Sequence, residues 1–272
     1  MIEMKKFDFA RFANFLKWHV ATHKSEIIRM TGYVTIVMFL IIRMAHMGSY
    51  FSGYQMDMEI PFHLGFFFFI MGFCMCVASA AILKDLNHKG GFIGFSMSPA
   101  SQLEKYLTLL IYCTVIPFLS VLFSYLIAEI LNVILFMIEG NTVERIYFGM
   151  IFTEMFPGVF TLEDNSGMIF AMFSISIYVL GGSIFRKMPF ISTSAAIFAL
   201  FVFLVPFISK MLVSVFSGFD SVEEFMKVNE NFVQHMGIMA DIIMVVLSLL
   251  NFYISYRIYK RMQVINNKWL NL

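Results

Sequence analysis

The chain predicts an all-α membrane protein with six transmembrane helices, an N-terminal amphipathic interfacial helix and both termini cytoplasmic. Three observations carry that expectation. The first is composition: 60% of the residues are hydrophobic and only 14% charged, against roughly 45–50% and about 25% in ordinary soluble domains. The second is that the apolar residues gather into six runs, each near the about 20 residues a helix needs to cross about 30 Å of hydrocarbon. The third is the uneven placement of basic residues between the two sides that six crossings would create.

Residues 5 to 24 are expected to form a helix lying on the membrane. Phe9, Phe12, Ala13, Leu16 and Val20 share one face, and Lys5, Lys6, Arg11, Lys17 and Lys24 populate the rest. Such a helix is drawn to anionic headgroups by its charge and held by its apolar side, or it packs on a partner protein. The first 29 residues carry charges throughout, so the first span is expected to serve as its own insertion signal.

The six runs fall at about 30–47, 61–83, 106–128, 167–185, 190–213 and 237–256. Apolar character in the third continues to Ile138, long enough for either one helix or a hairpin. Charge decides between them. With one long third span, six basic residues before residue 30, then Lys84, Lys89, Lys105, Arg186, Lys187, Arg257, Lys260, Arg261 and Lys268 all fall inside, and only Arg43, Arg145, Lys210 and Lys227 remain outside. Thirteen of the 18 acidic residues then lie on the outer side. A hairpin would put the acidic stretch Glu139 to Asp164 in the cytoplasm and invert everything after it. One long span with a bend at Pro117 is therefore expected.

The resulting organisation is a cytoplasmic segment 1–29, a six-helix domain 30–257 and a basic cytoplasmic tail 258–272. Within the domain lie a cytoplasmic loop 84–105 and outer segments 138–166 and 214–236. Residues 144 to 156 pattern as an interfacial helix, and 221 to 235 as a short acidic helix opened by Ser221 and Glu224 at capping-box spacing.

Several chemistries lack their residues. There is no HExxH, GxSxG or GxxxxGK[ST], and spans two, four and five hold no ionisable group in their central parts. Arg43 sits near the outer end of the first span, where an outer acid such as Glu129 or Asp241 would partner it. His46, His63 and His235 gather at outer ends of spans; three histidines could ligate a metal or haem, but they sit on unlinked segments and are taken as interfacial residues. Cys74, Cys76 and Cys113 lie in apolar runs without metal-binding spacing and are assigned to packing. No cofactor, metal or nucleic-acid partner is expected.

The loop from Lys84 to Lys105 is too apolar for water. Phe92, Ile93, Phe95 and Met97 call for a partner or a membrane to cover them, and Gly90, Gly91 and Gly94 permit sharp turns. Ser101 and Glu104 have capping-box spacing for the start of the third span. Pro99, Ala100, Ser101, Glu104, Lys105 and Tyr106 match a Leu-Pro-Ala-Ser-x-x-Glu-Lys-aromatic stretch, with Ser98 in place of the leucine. At this stretch the chain resembles the membrane subunits of bacterial ATP-binding cassette transporters of the type-2 export-permease kind. Gly181 to Phe190 and the basic tail from Tyr256 to Gln263 are similar as well.

The resemblance implies a permease subunit, not itself an enzyme, in a bacterial plasma membrane. Its partners would be a second permease subunit and a separate cytoplasmic ATP-binding subunit. The amphipathic start would match the family's connecting helix, and the loop its coupling helix, with Phe92, Ile93, Phe95, Pro99, Ser101, Glu104 and Lys105 as partner-binding residues. The outer segment 221–235 stands where the family places a short helical hairpin. The alternative from another class is a non-transporting scaffold or sensor that docks a cytoplasmic partner through the same loop.

Overall fold

The computed structural model describes residues 7–52, 62–84, 86, 89–139, 166–216 and 230–261. Eight helices occupy them: α1 Phe9–Thr22, α2 Lys24–Ser52, α3 Phe62–Ala80, α4 Lys89–Met97, α5 Gln102–Ile138, α6 Ser166–Ile184, α7 Pro189–Phe216 and α8 Glu230–Arg261. The expected outer helices at 144–156 and 221–235 lie outside the described residues, apart from the latter's last part, which belongs to α8.

Six helices, α2, α3, α5, α6, α7 and α8, are long and apolar enough to cross a membrane. They correspond to the six runs. The third runs as one helix of 37 residues through Pro117, about 55 Å long at 1.5 Å per residue and so longer than the hydrocarbon. Its start is set by Ser101 and Glu104. The Ser101 hydroxyl accepts from the Glu104 amide at 3.3 Å, and the Glu104 carboxylate accepts from the Ser101 amide at 2.8 Å. This reciprocal capping is the one the spacing anticipates.

Specific side chains fix the direction in which the spans pair. Between α2 and α5, the Ser124 hydroxyl donates to the Thr31 carbonyl at 3.0 Å and the Asn132 amide to the Phe39 carbonyl at 3.3 Å, while Arg43 pairs with Glu139. Residue numbers rise together along both helices, so α2 and α5 are parallel. The same holds for α6 and α8, where the Asn251 amide donates to the Ser176 hydroxyl at 3.1 Å and the Ser183 and Ser255 hydroxyls lie 2.5 Å apart. α7 returns antiparallel along α6, joined by the Tyr178 and Ser194 hydroxyls at 3.0 Å. α3 sits in the middle, in contact with α2, α5, α6 and α7, whereas α7 touches mainly α6 and leaves Phe198, Phe201, Phe203 and Phe207 exposed.

Two apolar clusters fill the bundle. Val34, Met38 and Ile42 of α2 meet Leu64 and Phe67 of α3 and Val121, Tyr125 and Ala128 of α5. At the other end, Phe15 of α1, Phe95 of α4, Tyr106 and Leu109 of α5, Val179 of α6 and Tyr259 of α8 close around Ile82 and Leu83. That second end gathers the starts of α2, α5 and α7 and the ends of α3, α6 and α8. α1 and α4 are attached to it.

The acid that partners Arg43 is Glu139 at the end of α5, and the Phe136 ring lies 5.7 Å from the Arg43 guanidinium carbon. A carboxylate at the C-cap of α5 reaches Arg43 where the long helix ends, so the pair need not draw its charges into the middle of the bundle.

Candidate functional site at the α1, α4 and α5 junction

α1 begins at Asp8, whose carboxylate accepts from the amides of Ala10 at 2.9 Å and Arg11 at 3.3 Å. An Asp at this position satisfies amide groups that the first helical turn leaves without partners. The cap orients Arg11 toward α5. Its Nε donates to Glu104 Oε2 at 2.8 Å and a terminal nitrogen to Oε1 at 2.5 Å, while the Asp8 amide donates to Oε1 at 2.9 Å. Glu104 is fully buried, so its charge is acceptable only because these donors and the Ser101 amide surround it. The carboxylate in turn holds the Arg11 pKa above its ordinary value, mainly through the hydrogen bond. One side chain therefore ties the start of α1 to the start of α5.

This tie sets the rotation of α1. The buried residues are Phe12, Phe15 and His19, while Phe9 is 73% exposed and Ala13 is also exposed. The expected common face of Phe9, Phe12, Ala13, Leu16 and Val20 is therefore divided: Phe12 turns inward and Phe9 and Ala13 turn outward. Phe15 and His19 recur at the 3- and 4-residue spacing of a helix face, and with Phe12 they were a signal available in the sequence.

The segment expected as a loop, 84–105, contains a helix. α4 runs from Lys89 to Met97 despite Gly90, Gly91 and Gly94, each of which disfavours a helix by about 1 kcal/mol relative to alanine. Its C-terminal end is fastened instead. The Ser98 hydroxyl donates to the Phe95 carbonyl at 2.7 Å, and Lys105 Nζ donates to the Ser96 carbonyl at 2.9 Å. A cation on the last carbonyls of a helix also opposes its dipole.

Phe95 requires a correction. It was expected to be an exposed contact residue, but it is buried, meeting the Phe15 ring edge-on at 5.3 Å and the His19 ring at 6.0 Å. His19 continues the cluster to Tyr112 of α5 at 4.8 Å and to His23 at 4.5 Å. The apolar character of Phe95 is thus absorbed within the chain by α1, an element too far away in sequence for local spacing to reveal.

The remaining predicted residues divide by exposure. Ile93 is 39% and Met97 80% exposed, and Pro99 is exposed at the turn into α5. Ser101 and Glu104 form the capping box, and Lys105 is buried beneath α4. The Phe92 side chain lies outside the described residues. Asp8, Arg11, Phe15, His19 and Tyr112 complete the junction and were not singled out by motif.

Among the described residues, no group of three or more His, Cys, Asp or Glu side chains is placed to hold a metal ion. The chemistry present is ion pairing, capping and aromatic packing, and together these couple two short helices to the long α5. Comparisons with family models, with curated proteins and with solved structures find no match to the chain.

Proposed function

We propose that the chain is the membrane-spanning permease subunit of an ATP-driven transporter of the type-2 export kind, in a bacterial plasma membrane. ATP hydrolysis resides on a separate cytoplasmic subunit, and a second permease subunit completes the pathway. The observation that carries this reading is α4: a short helix that presents Ile93 and Met97 outward while Phe95 and the Lys105–Ser96 bond lock it to α1 and α5. A push on its exposed side reaches the start of α5 through one buried ring and one hydrogen bond. The resemblance at Pro99 to Tyr106 and the absence of a phosphate-binding loop agree with an external energy source. The bare apolar surface of α7 is available to lipid or to the second subunit.

The test is affinity purification of the full chain in mild detergent with identification of co-purifying subunits. A Walker-type ATPase should co-purify, and hydrolysis should appear only in its presence. Replacing Ile93 and Met97 together with serine should leave abundance and monodispersity intact while releasing the ATPase, because the apolar contacts of a docking helix carry much of the binding energy. ATP hydrolysis by the isolated polypeptide, or an unaltered ATPase complement on the double variant, would sink the reading.

A further inference from the structure

A cavity of about 60 Å³ lies between the end of α4, the start of α5 and the end of α8, with Gln102, Lys105, Tyr259 and Lys260 in its lining. One water needs roughly 10–15 Å³ to enter and takes about 30 Å³ of liquid, so the cavity has room for about two waters, or for the oxygens of one oxyanion whose remainder projects through its mouth.

Lys105 gives the cavity its meaning. It is 4% exposed, yet its ammonium group meets one carbonyl, Ser96 at 2.9 Å, and the face of Phe95 at 6.0 Å. The neighbouring carboxylate, Glu104, is engaged by Arg11, and among the described residues Lys105 has no ion pair. An ammonium group carries three donors, of which Ser96 takes one. The C-terminal end of α4 offers only about half a negative charge. A buried cation normally has a full counter-charge, and here the free space beside it carries a second lysine and a tyrosine at its wall. Lys260 is exposed, which adds positive potential at the cavity's mouth.

We propose that this cavity binds a phosphate-class oxyanion, held by Lys105 from within and Lys260 from the rim. The group is the headgroup phosphate of an anionic lipid or free phosphate. The position favours the lipid, since α5 and α8 are both spans and the cavity opens where their apolar stretches end. This assignment does not depend on the transport reading.

The experiment is native mass spectrometry of the full chain in mild detergent, titrated separately with phosphatidylglycerol and with phosphatidylcholine of the same acyl chains. The intact protein should prefer phosphatidylglycerol, and Lys105→Gln should lower that preference about tenfold, the scale of one lost charge-assisted contact. Lys260→Gln, at an exposed position, keeps the test readable if Lys105→Gln fails to fold, and should lower the preference as well. Lys187→Gln, on an exposed lysine at the same end but not lining the cavity, should leave it unchanged. Displacement of phosphatidylglycerol by millimolar inorganic phosphate would identify the free anion as a competent occupant; retention of the lipid would assign the site to the headgroup. A preference that survives both Lys105→Gln and Lys260→Gln, or that falls equally with Lys187→Gln, would overturn the proposal, as would binding of neither phosphatidylglycerol nor phosphate.

Discussion

Glu104 accepts from Arg11, from the Asp8 amide and from the Ser101 amide, and it is fully buried, whereas the Arg11 side chain keeps 26% of its surface in solvent. The two halves of this pair are therefore unequal. Arg11→Ala strands a buried carboxylate with only backbone donors, at a cost of about 3 kcal/mol or more. Glu104→Gln removes the charge and frees Arg11 to turn toward water, costing about 1–2 kcal/mol. Thermal unfolding of the purified variants in detergent should rank Arg11→Ala below Glu104→Gln, with both below the parent, and the reverse order would contradict the pair as described. The sequence revealed half of this site. Ser101 and Glu104 are three residues apart, so the capping box is a local pattern; Arg11 is 93 residues from Glu104 and enters only through the docking of α1.

At the scale of elements, legibility follows the strength of the physical constraint. Lipid demands long apolar helices, and that demand makes all six spans visible as runs. α4 was implied by the resemblance but not by its own residues, because its glycines argue against a helix and its support comes from Ser98 and Lys105 on its last carbonyls and from Phe95 packing on distant α1. The packing of α6 on α3 was equally hidden, since one glycine in an apolar run looks like any other. A Cβ at Gly182 would strike the Ala80 backbone carbonyl, whereas one at Gly65 or Gly72 meets nothing within 4 Å. Gly182→Ala must push two helices apart and should cost about 1–3 kcal/mol. Gly72→Ala should be neutral or stabilising by up to about 1 kcal/mol, from the lower helix cost of alanine. Unfolding temperatures of the two variants decide the matter: an unchanged Gly182→Ala would mean that α3 and α6 do not approach so closely.

For the whole molecule, the pairing directions and the charge pattern bear on the same question from different sides. Parallel pairs α2–α5 and α6–α8, with α7 antiparallel to α6, are what alternate crossings require. They place Arg11, Lys84, Lys105, Arg186 and Lys260 at one end of the bundle, together with α1 and α4. Since basic residues flanking spans are retained on the cytoplasmic side, that end should be the cytoplasmic one. The test is labelling of intact cells with an impermeant thiol reagent after Cys74, Cys76 and Cys113 have been replaced. Single substitutions Asp57→Cys, Glu163→Cys and Glu223→Cys, in the segments that join α2 to α3, α5 to α6 and α7 to α8, should react from outside. Lys89→Cys, at the start of α4, should react only once the membrane is opened. Labelling of Lys89→Cys but not Glu163→Cys in intact cells would reverse the orientation, and it would remove α4 from reach of any cytoplasmic ATPase. Labelling of both in intact cells would instead break the alternation between the second and fourth spans, and with it the single long α5 on which the charge assignment rests.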